Sequence, residues 1–441
     1  MTKKCVLILL DGLGDRALPQ LNHRTPLQAA MTPCLDQLAA RGSTGLYHAG
    51  KIGCPLPSEN AHFALFGCAP DEFPGRGALE ALGAGVKLGE GDVALLAHFA
   101  CVLATLNGTL ILRYDRVCGT PEETDALFEA VGPFESEGVR IELTQTGGMF
   151  SVLTLHGDVS PFITDSNPMV DGRRIPAVRP LASHEDDPAA VRTARVLSTY
   201  LRRAFALLAK TEVNQIRAKQ KLPPINGLIT QRAGRLCPVT PLHVRYGMRC
   251  LSLASGVMYR GMAKFLGMDF MRMKDTRDPG NDLAERVELA VRALADYDFI
   301  HIHTKAPDHA AHTKSPRAKL NAIESLDRGL AASVKQLLRD DVILVVTADH
   351  STPSMGALIH SGEPVPLLFV GEGVRRDAVD RYDEISVAGG CLGTMRGDEL
   401  MHMVLNYTDR ACLAGINDTP WGRQYWPGDY EAFSLHEPEE R

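Results

Sequence analysis

The feature that most constrains this chain is a series of short apolar runs, each followed closely by turn or polar residues. These runs are apolar at nearly every position, a pattern typical of strands that are buried on both faces of a parallel sheet. We therefore expect a mainly parallel sheet with helices covering it. The runs are Val6–Leu10, Cys250–Ala254, Phe299–His303, Val342–Val346 and Val365–Val370.

Amphipathic stretches of helical length lie between the apolar runs. Their apolar residues recur at spacings of three and four, as expected for helices with one buried face. The stretches are Leu27–Arg41, with a break at Thr32-Pro33, Asn281–Tyr297 and Ala318–Arg339. Alternation of such helices with buried strands predicts an α/β fold.

The middle of the chain has a different pattern, which predicts an α+β insertion. It combines short strand-like segments with two helical ones: Ala100–Leu106, Leu110–Arg113, Pro121–Val131, Phe150–Leu155 and Pro188–Lys210. Proline-containing stretches flank this region, as is common at domain boundaries.

The length of the chain, 441 residues, also favours more than one domain. We predict a discontinuous core with an inserted domain that acts as a lid. The predicted boundaries are 1–72 for the first core segment, 73–241 for the insertion and 242–441 for the second core segment.

Charge, hydropathy and cysteine pattern exclude several classes of protein. The formal net charge of -6, with 47 basic and 53 acidic residues, argues against a nucleic-acid binder. No apolar stretch reaches the ~18–20 residues that a membrane span needs, and the first apolar run lacks a signal-peptide cleavage site. Ten scattered cysteines without a C-x-x-C pair are typical of reduced thiols, so we expect a cytoplasmic protein.

Aspartate and histidine residues lie near the ends of four predicted strands. In open α/β sheets, the carboxyl ends of the strands form the crevice where ligands bind. Residues from four distant parts of the sequence could therefore meet at one site. They are Asp11, the pair Asp308 and His312, the pair Asp349 and His350, and His360.

The residue types in this set favour metal binding. Asp308 and His312 are four residues apart and would share a helix face, whereas His309 between them points elsewhere and is interpreted as structural. Carboxylate and imidazole ligands suit Mn2+, Zn2+, Co2+ or Mg2+. Taken singly, each aspartate could instead be a helix cap and each histidine a core or surface residue. A two-metal site of this composition commonly serves phosphoryl transfer.

Ser58 is the candidate nucleophile. It follows the Gly53–Pro57 loop and precedes an apolar helical start, so it lies near a helix N-terminus, where phosphate binds favourably. Metal coordination would lower its hydroxyl pKa without a catalytic triad. The alternative is that Ser58 is a simple N-cap, with Asn60 and His62 on the helix surface.

Over nearly its whole length, the sequence resembles the archaeal-type cofactor-independent phosphoglycerate mutases of the alkaline phosphatase superfamily. The metal-ligand motifs in combination are specific, whereas the glycine-rich motifs alone would be weak. The motifs that carry the resemblance are Leu9–Gly12, Pro57–His62, Gly75–Gly83, Ile163–Pro168, Gln231–Gly234, Tyr259–Lys264, Lys305–His312, Thr347–Pro353, His360–Pro366 and Gly389–Gly393.

The resemblance implies an alkaline-phosphatase-like α/β core and an enzyme that interconverts 2- and 3-phosphoglycerate without 2,3-bisphosphoglycerate. It implies that Ser58 becomes phosphorylated while the glycerate turns in a closed site that excludes water. One divalent ion would be held by Asp308, His312 and His360. The second would be held by Asp11, Ser58, Asp349 and His350.

Members of this family carry cationic residues that bind the substrate. The resemblance implies this role for Arg232, Arg260 and Lys264 of this chain. The alternative reading for each is a solvated surface charge. The chain departs from the family pattern at three places in the insertion. An arginine-containing segment of the family is replaced around Leu96 and His98, and a histidine of the family is replaced by Met169. The segment Gly147–Phe150 lacks the basic residue that relatives often carry there.

These changes leave three functions open. The first is the mutase. The second is a metal-dependent phosphomonoesterase, or a mutase or hydrolase that acts on a related phosphorylated or phosphonate acid. The third is a catalytically silent binding protein, which the intact metal positions disfavour. The expected partner is a small phosphorylated acid rather than a nucleic acid or a membrane, and a homo-oligomer is left open.

Overall fold

The computed structural model describes residues 3–412 and 434–435. The end of the predicted second core segment, beyond residue 412, therefore lies outside the described residues except for 434–435. The chain divides into two compact units. The first unit comprises Met1–Pro70, Thr240–Ser255 and Leu266–Arg441. The second unit comprises Asp71–Val239 and Gly256–Phe265, and it interrupts the first unit in sequence.

The strands, in chain order, are β1 Lys4–Leu10, β2 Ser43–His48, β3 Val93–Ala104, β4 Leu110–Tyr114, β5 Phe134–Ser136, β6 Val139–Gly147, β7 Phe150–His156, β8 Gly227–Gly234, β9 Cys250–Ala254, β10 Asp269–Arg272, β11 Phe299–Thr304, β12 Val342–Thr347, β13 Val365–Val370 and β14 Gly393–Arg396.

The α-helices are α1 Pro26–Ala29, α2 Pro33–Ala39, α3 Ser58–Leu65, α4 Arg76–Ala84, α5 Pro121–Val131, α6 Pro188–Leu208, α7 Glu212–Lys219, α8 Leu242–Tyr246, α9 Val257–Phe265, α10 Pro279–Ala293, α11 Ala306–His312, α12 Pro316–Ser333 and α13 Glu399–Tyr407. Short 3-10 helices span Pro19–Leu21, Pro70–Glu72, Ala182–His184, Val334–Leu337 and Val387–Gly389.

The first unit is built on an eight-stranded, mainly parallel sheet. Its strand order is β10-β9-β11-β1-β12-β13-β2-β14. Among the described strand pairs of this sheet, only those of β13 with β12 and with β2 are antiparallel. Every residue of β11, β12 and β13 is buried, which explains why these strands are apolar at nearly every position.

The three central strands bring the predicted site residues to one edge of this sheet. β1 pairs in parallel with β11 on one side and with β12 on the other, so all three strands end at the same edge. Asp11 directly follows β1, α11 follows β11, and Asp349 follows β12. Because β13 runs in the opposite direction to β12, β13 begins at this edge, and the chain just before it carries His360.

The second unit contains an antiparallel sheet with the strand order β4-β3-β7-β6-β5, and β8 pairs with β3 off this path. Helices α5 and α6 pack their apolar faces onto the sheet. A core of buried residues that includes Phe99, Leu153 and Leu197 joins them. This arrangement is the α+β architecture expected for the insertion.

Within the second unit, α9 packs closely against α4. A Cβ at Gly83 or Gly261 would collide with the backbone of the opposite helix, so the two helices can touch only because both positions are glycine. For this reason α9 belongs to the second unit, although the sequence boundaries assigned residues 256–265 to the second core segment. The exact boundaries of the domains stay a prediction.

The predicted fold class is confirmed: the protein is an α/β structure with a large sheet and covering helices. All five predicted apolar runs are strands, and the predicted break at Thr32-Pro33 separates α1 from α2. Within the described ranges, no helix combines the length and the apolar character needed to cross a bilayer.

Candidate metal centre

Asp11 lies at the middle of the site, directly after β1, and is fully buried. Its Oδ2 is 2.9 Å from His303 Nε2 and 3.7 Å from Lys305 Nζ. Burial alone would raise the pKa of Asp11, but the Lys305 ammonium and the hydrogen bond from His303 hold that pKa well below its ordinary value. Asp11 is therefore a buried, ionised carboxylate.

Asp349 and His350 lie beside Asp11. Asp349 Oδ1 accepts hydrogen bonds from the backbone N–H groups of Gly12 and His350, at 3.1 and 3.0 Å. His350 Nε2 is 3.1 Å from Asp349 Oδ2 and 3.5 Å from Asp11 Oδ1. Burial would lower the pKa of His350, but the two carboxylates raise it to about 9. Donor atoms of Asp11, Asp349 and His350 all lie within 4.8 Å of one another.

Ser58 is the first residue of α3, and its hydroxyl points into this cluster. Ser58 Oγ lies 2.9 Å from His350 Nε2, and the residue is only 5% exposed. The N-cap position belongs to Pro57, and no side chain caps the helix. The interpretation of Ser58 as a simple N-cap is therefore wrong.

A second group of donors surrounds Asp308 in the first turn of α11. Asp308 Oδ1 lies 3.2 Å from His312 Nε2 and 3.6 Å from His360 Nε2. His360 Nδ1 donates to the Leu56 carbonyl at 2.8 Å, which leaves Nε2 with its lone pair on the Asp308 side. Donor atoms of Asp308, His350 and His360 lie within 4.8 Å of one another, and His312 is the more exposed neighbour.

The donor set fits divalent cations. Asp308 Oδ2 is buried, accepts no hydrogen bond from the described part of the chain, and has the Lys305 ammonium 3.5 Å away. A buried carboxylate oxygen in this position is costly unless a cation neutralises it. Carboxylates and imidazoles with fixed tautomers are the ligands expected for ions such as Mn2+ or Zn2+.

Three further residues of the site were missed by sequence reasoning. Lys305 lies between Asp11 and Asp308, and His303 contacts Asp11. His62, which one alternative placed on the helix surface, is fully buried, with Nδ1 3.2 Å from Asp349 Oδ2. Its spacing of four from Ser58 was the available signal, since such residues share a helix face.

The predicted substrate-binding residues lie in the second unit. Arg260 and Lys264 are exposed on α9 and, four residues apart, share one of its faces. Arg232 is half-buried in a left-handed conformation with φ 61°, and its N–H donates to Asp165 Oδ1 at 2.7 Å. These positions do not test the proposed anion-binding role of the three residues.

Two of the altered family positions have definite environments in the second unit. His98 is buried, and its Nε2 lies 3.1 Å from Asp115 Oδ1. Met169 is 51% exposed and has φ 60°. Leu96 is half-buried in β3.

Comparison with known proteins shows the family of the chain. The sequence profile of the metalloenzyme superfamily matches residues 3–407. The 2,3-bisphosphoglycerate-independent phosphoglycerate mutase 2 of Methanocaldococcus jannaschii is 41% identical over 435 residues, which cover 97% of this chain and 98% of the relative.

Two solved structures are similar along almost the entire chain. A Pyrococcus horikoshii protein has a TM-score of 0.76 at 28% identity and covers 94% of this chain and 100% of its own. The cofactor-independent phosphoglycerate mutase of Thermoplasma acidophilum has a TM-score of 0.63 at 29% identity, with coverage of 92% and 100%. The chain therefore belongs to the metalloenzyme superfamily and, within it, to the 2,3-bisphosphoglycerate-independent phosphoglycerate mutases.

Proposed function

We propose that this protein interconverts 2- and 3-phosphoglycerate by two-metal phosphoryl transfer through Ser58. The observation that carries the proposal is the Ser58 hydroxyl, buried at a helix N-terminus and 2.9 Å from His350 Nε2 among ionised carboxylates. The names of the relatives supply the substrate. A small phosphorylated acid is also the ligand class that such a site suits.

In this proposal, one ion is held by Asp308, His312 and His360. The other is held by Asp11, Ser58, Asp349 and His350. The grouping of Asp11 with Asp349 and His350 supports the second assignment. The grouping of Asp308 with His360, in which His350 also lies, supports the first. When bound, the ions supply positive charge that neutralises the carboxylates, lowers the pKa of a nearby hydroxyl and attracts the phosphate.

The chain itself supplies the nucleophile and its orientation. In the first half-reaction, a bond forms between Ser58 Oγ and phosphorus while the phosphate ester bond to the glycerate breaks, and the proton lost by Ser58 ends on the glycerate hydroxyl that is released. In the second half-reaction, the other glycerate hydroxyl accepts the phosphoryl group, its proton returns to Ser58 Oγ, and the Ser58 hydroxyl is regenerated. Because Ser58 is the first residue of α3, the backbone N–H groups of that turn favour the phosphoryl charge at this position.

The inserted domain would provide the anion grip and exclude water. We propose that Arg232, Arg260 and Lys264 bind the carboxylate and phosphate of the substrate, Arg by bidentate hydrogen bonds and Lys as a point charge. Exclusion of water matters because a phosphoserine open to solvent would hydrolyse. The ten free cysteines are typical of a reducing compartment, so we also propose a cytoplasmic location.

A second candidate function is supported by the altered positions of the second unit. His98 faces Asp115, which offsets any charge the imidazole carries, and Met169 brings no charge at all. If these residues leave the glycerate poorly held, the enzyme would act as a phosphomonoesterase, or on a related phosphorylated or phosphonate acid.

Product analysis by 31P NMR distinguishes the two functions. For the mutase, we expect 3-phosphoglycerate to be converted to the 2-isomer with no free phosphate, and Ser58→Ala to abolish turnover while metal content falls only in part. Free phosphate without the isomer would support the phosphomonoesterase. Full turnover by Ser58→Ala would exclude the covalent route in either case.

A further inference from the structure

Three histidines form a buried layer behind the candidate metal centre. We call His62, His301 and His303 the imidazole layer; each is at most 1% exposed. Their ring centroids are 5.1 to 5.9 Å apart. None of the three belongs to the predicted ligand set, although two of them contact residues that do.

His303 and His350 lie nearest to different oxygens of the Asp11 carboxylate. Its Nε2 lies 2.9 Å from Asp11 Oδ2, and a carboxylate can only accept, so this nitrogen carries the proton. The other oxygen, Asp11 Oδ1, is the one nearest His350, at 3.5 Å. The hydrogen bond from His303 therefore fixes which carboxylate oxygen faces the candidate metal centre.

His62 contacts both the nucleophile residue and a second carboxylate. Its Nδ1 lies 2.9 Å from the Ser58 carbonyl oxygen and 3.2 Å from Asp349 Oδ2. Both neighbours are acceptors, so Nδ1 carries the proton; it donates to the Ser58 carbonyl and lies beside Asp349 Oδ2. This contact links the first turn of α3 to the loop that follows β12.

We propose that His62 and His303 are positioning residues of the phosphoryl-transfer site, with His303 orienting Asp11 and His62 holding Asp349 in register with Ser58. The inference rests on the proposed function, since it concerns the ligands assigned there. Hydrogen bonds behind metal ligands fix their orientation and basicity. Their loss typically costs about 10–100-fold in metal affinity.

His301 supplies a matched control. It lies in the same layer with the same burial, packs its ring edge-to-face against Phe66 with centroids 5.1 Å apart, and has Nδ1 3.0 Å from Ser252 Oγ. Among the described residues, His301 makes no hydrogen bond to a predicted metal ligand. If the imidazole layer only fills space, substitution of His301 would have the same effect as substitution of the other two histidines.

The test measures Mn2+ binding by isothermal titration calorimetry on chelator-treated protein, with thermal unfolding as the check on folding. We expect His62→Leu and His303→Leu to weaken Mn2+ binding by about 10–100-fold. We expect the Mn2+ affinity of His301→Leu to stay within about twofold of the wild-type affinity. This should hold even if its unfolding midpoint falls as far as the midpoints of the other two leucine variants. Equal losses in all three variants, or no loss in any, would overturn the proposal.

Amide replacements keep the test decisive if the leucine variants do not fold. The amide nitrogen of Asn occupies roughly the place of Nδ1, and that of Gln roughly the place of Nε2. We therefore expect His62→Asn to bind Mn2+ more tightly than His62→Gln, and His303→Gln more tightly than His303→Asn, by about tenfold or more. The opposite order, or no difference, would refute the positioning role.

The wild-type protein and Ser58→Ala separate this inference from the proposed function. Three results together would overturn only the positioning role. They are tight Mn2+ binding by the wild-type protein, loss of turnover in Ser58→Ala, and unchanged Mn2+ binding by the His62 and His303 variants. A wild-type protein that binds no Mn2+ would overturn both proposals.

Discussion

At the scale of single residues, the charge of His350 has a consequence for metal binding. In the metal-free protein, Asp349 and Asp11 raise its pKa to about 9 in spite of its burial, so the ring is protonated at neutral pH. A divalent ion needs the unprotonated nitrogen and must displace that proton. We therefore predict that Mn2+ affinity rises about tenfold per pH unit from pH 6.5 to 8 and levels off only above about 9.

Calorimetry in buffers of different ionisation enthalpy checks this directly, because it counts the protons released. About one proton should leave for each ion that binds at the Asp11, Asp349 and His350 group. An affinity that does not change over this pH range, without proton release, would contradict the charged state of His350.

Sequence reasoning located the strand-end residues better than the residues behind them. Asp11 stands directly after an apolar run and Asp349 three residues after another, where a polar residue signals the edge of a sheet. His303, inside a buried strand, has the same sequence pattern as an ordinary core histidine, and the signal for His62 is limited to its spacing of four from Ser58. Their importance depends on contacts across the fold, which spacing along the chain does not encode.

At the scale of secondary-structure elements, the crossing of α4 and α9 gives a test of the second unit. Ala normally stabilises a helix interior relative to Gly by about 0.5–1 kcal/mol. At Gly261, however, a Cβ would collide with the Leu79 carbonyl of α4. We predict that Gly261→Ala lowers the free energy of unfolding by about 1–3 kcal/mol, measured by urea denaturation.

Gly147→Ala is the matched control in the same unit. Apart from its two chain neighbours, no heavy atom of the described residues lies within 4 Å of a Cβ placed at Gly147, so its effect should stay within about 0.5 kcal/mol. A Gly261→Ala variant as stable as the wild type, or more stable, would show that the two helices are not in close contact.

Element positions were predictable where a pattern was strong, and element directions were not. The continuous apolar runs gave β1, β9, β11, β12 and β13 to within about two residues. An apolar run is the same whichever way the strand points, so nothing in Val365–Val370 indicated that β13 is antiparallel. The short strands β10 and β14 were missed because four residues carry too little periodicity.

At the scale of the whole molecule, the first unit concentrates negative charge in its interior. Asp11, Asp308 and Asp349 are all buried at one sheet edge, and Lys305 and His350 are the cations nearest to them in the described structure. Charges buried this close together destabilise the folded state unless they are compensated. Because the unfolded chain has no such site, bound ions would stabilise the fold as well as supply the chemistry.

We therefore predict that chelation lowers the unfolding midpoint and abolishes activity, and that Mn2+ restores both. At ~100 times the dissociation constant, each ion should add about 2.7 kcal/mol of stability, measured by scanning calorimetry. Asp308→Asn is the control, because the amide keeps the shape and can still accept the 2.8 Å hydrogen bond from Thr352. Its metal-free form should unfold at or above the wild-type temperature, since one buried charge is gone, while its gain from Mn2+ shrinks. An undiminished gain would mean that Asp308 holds no ion.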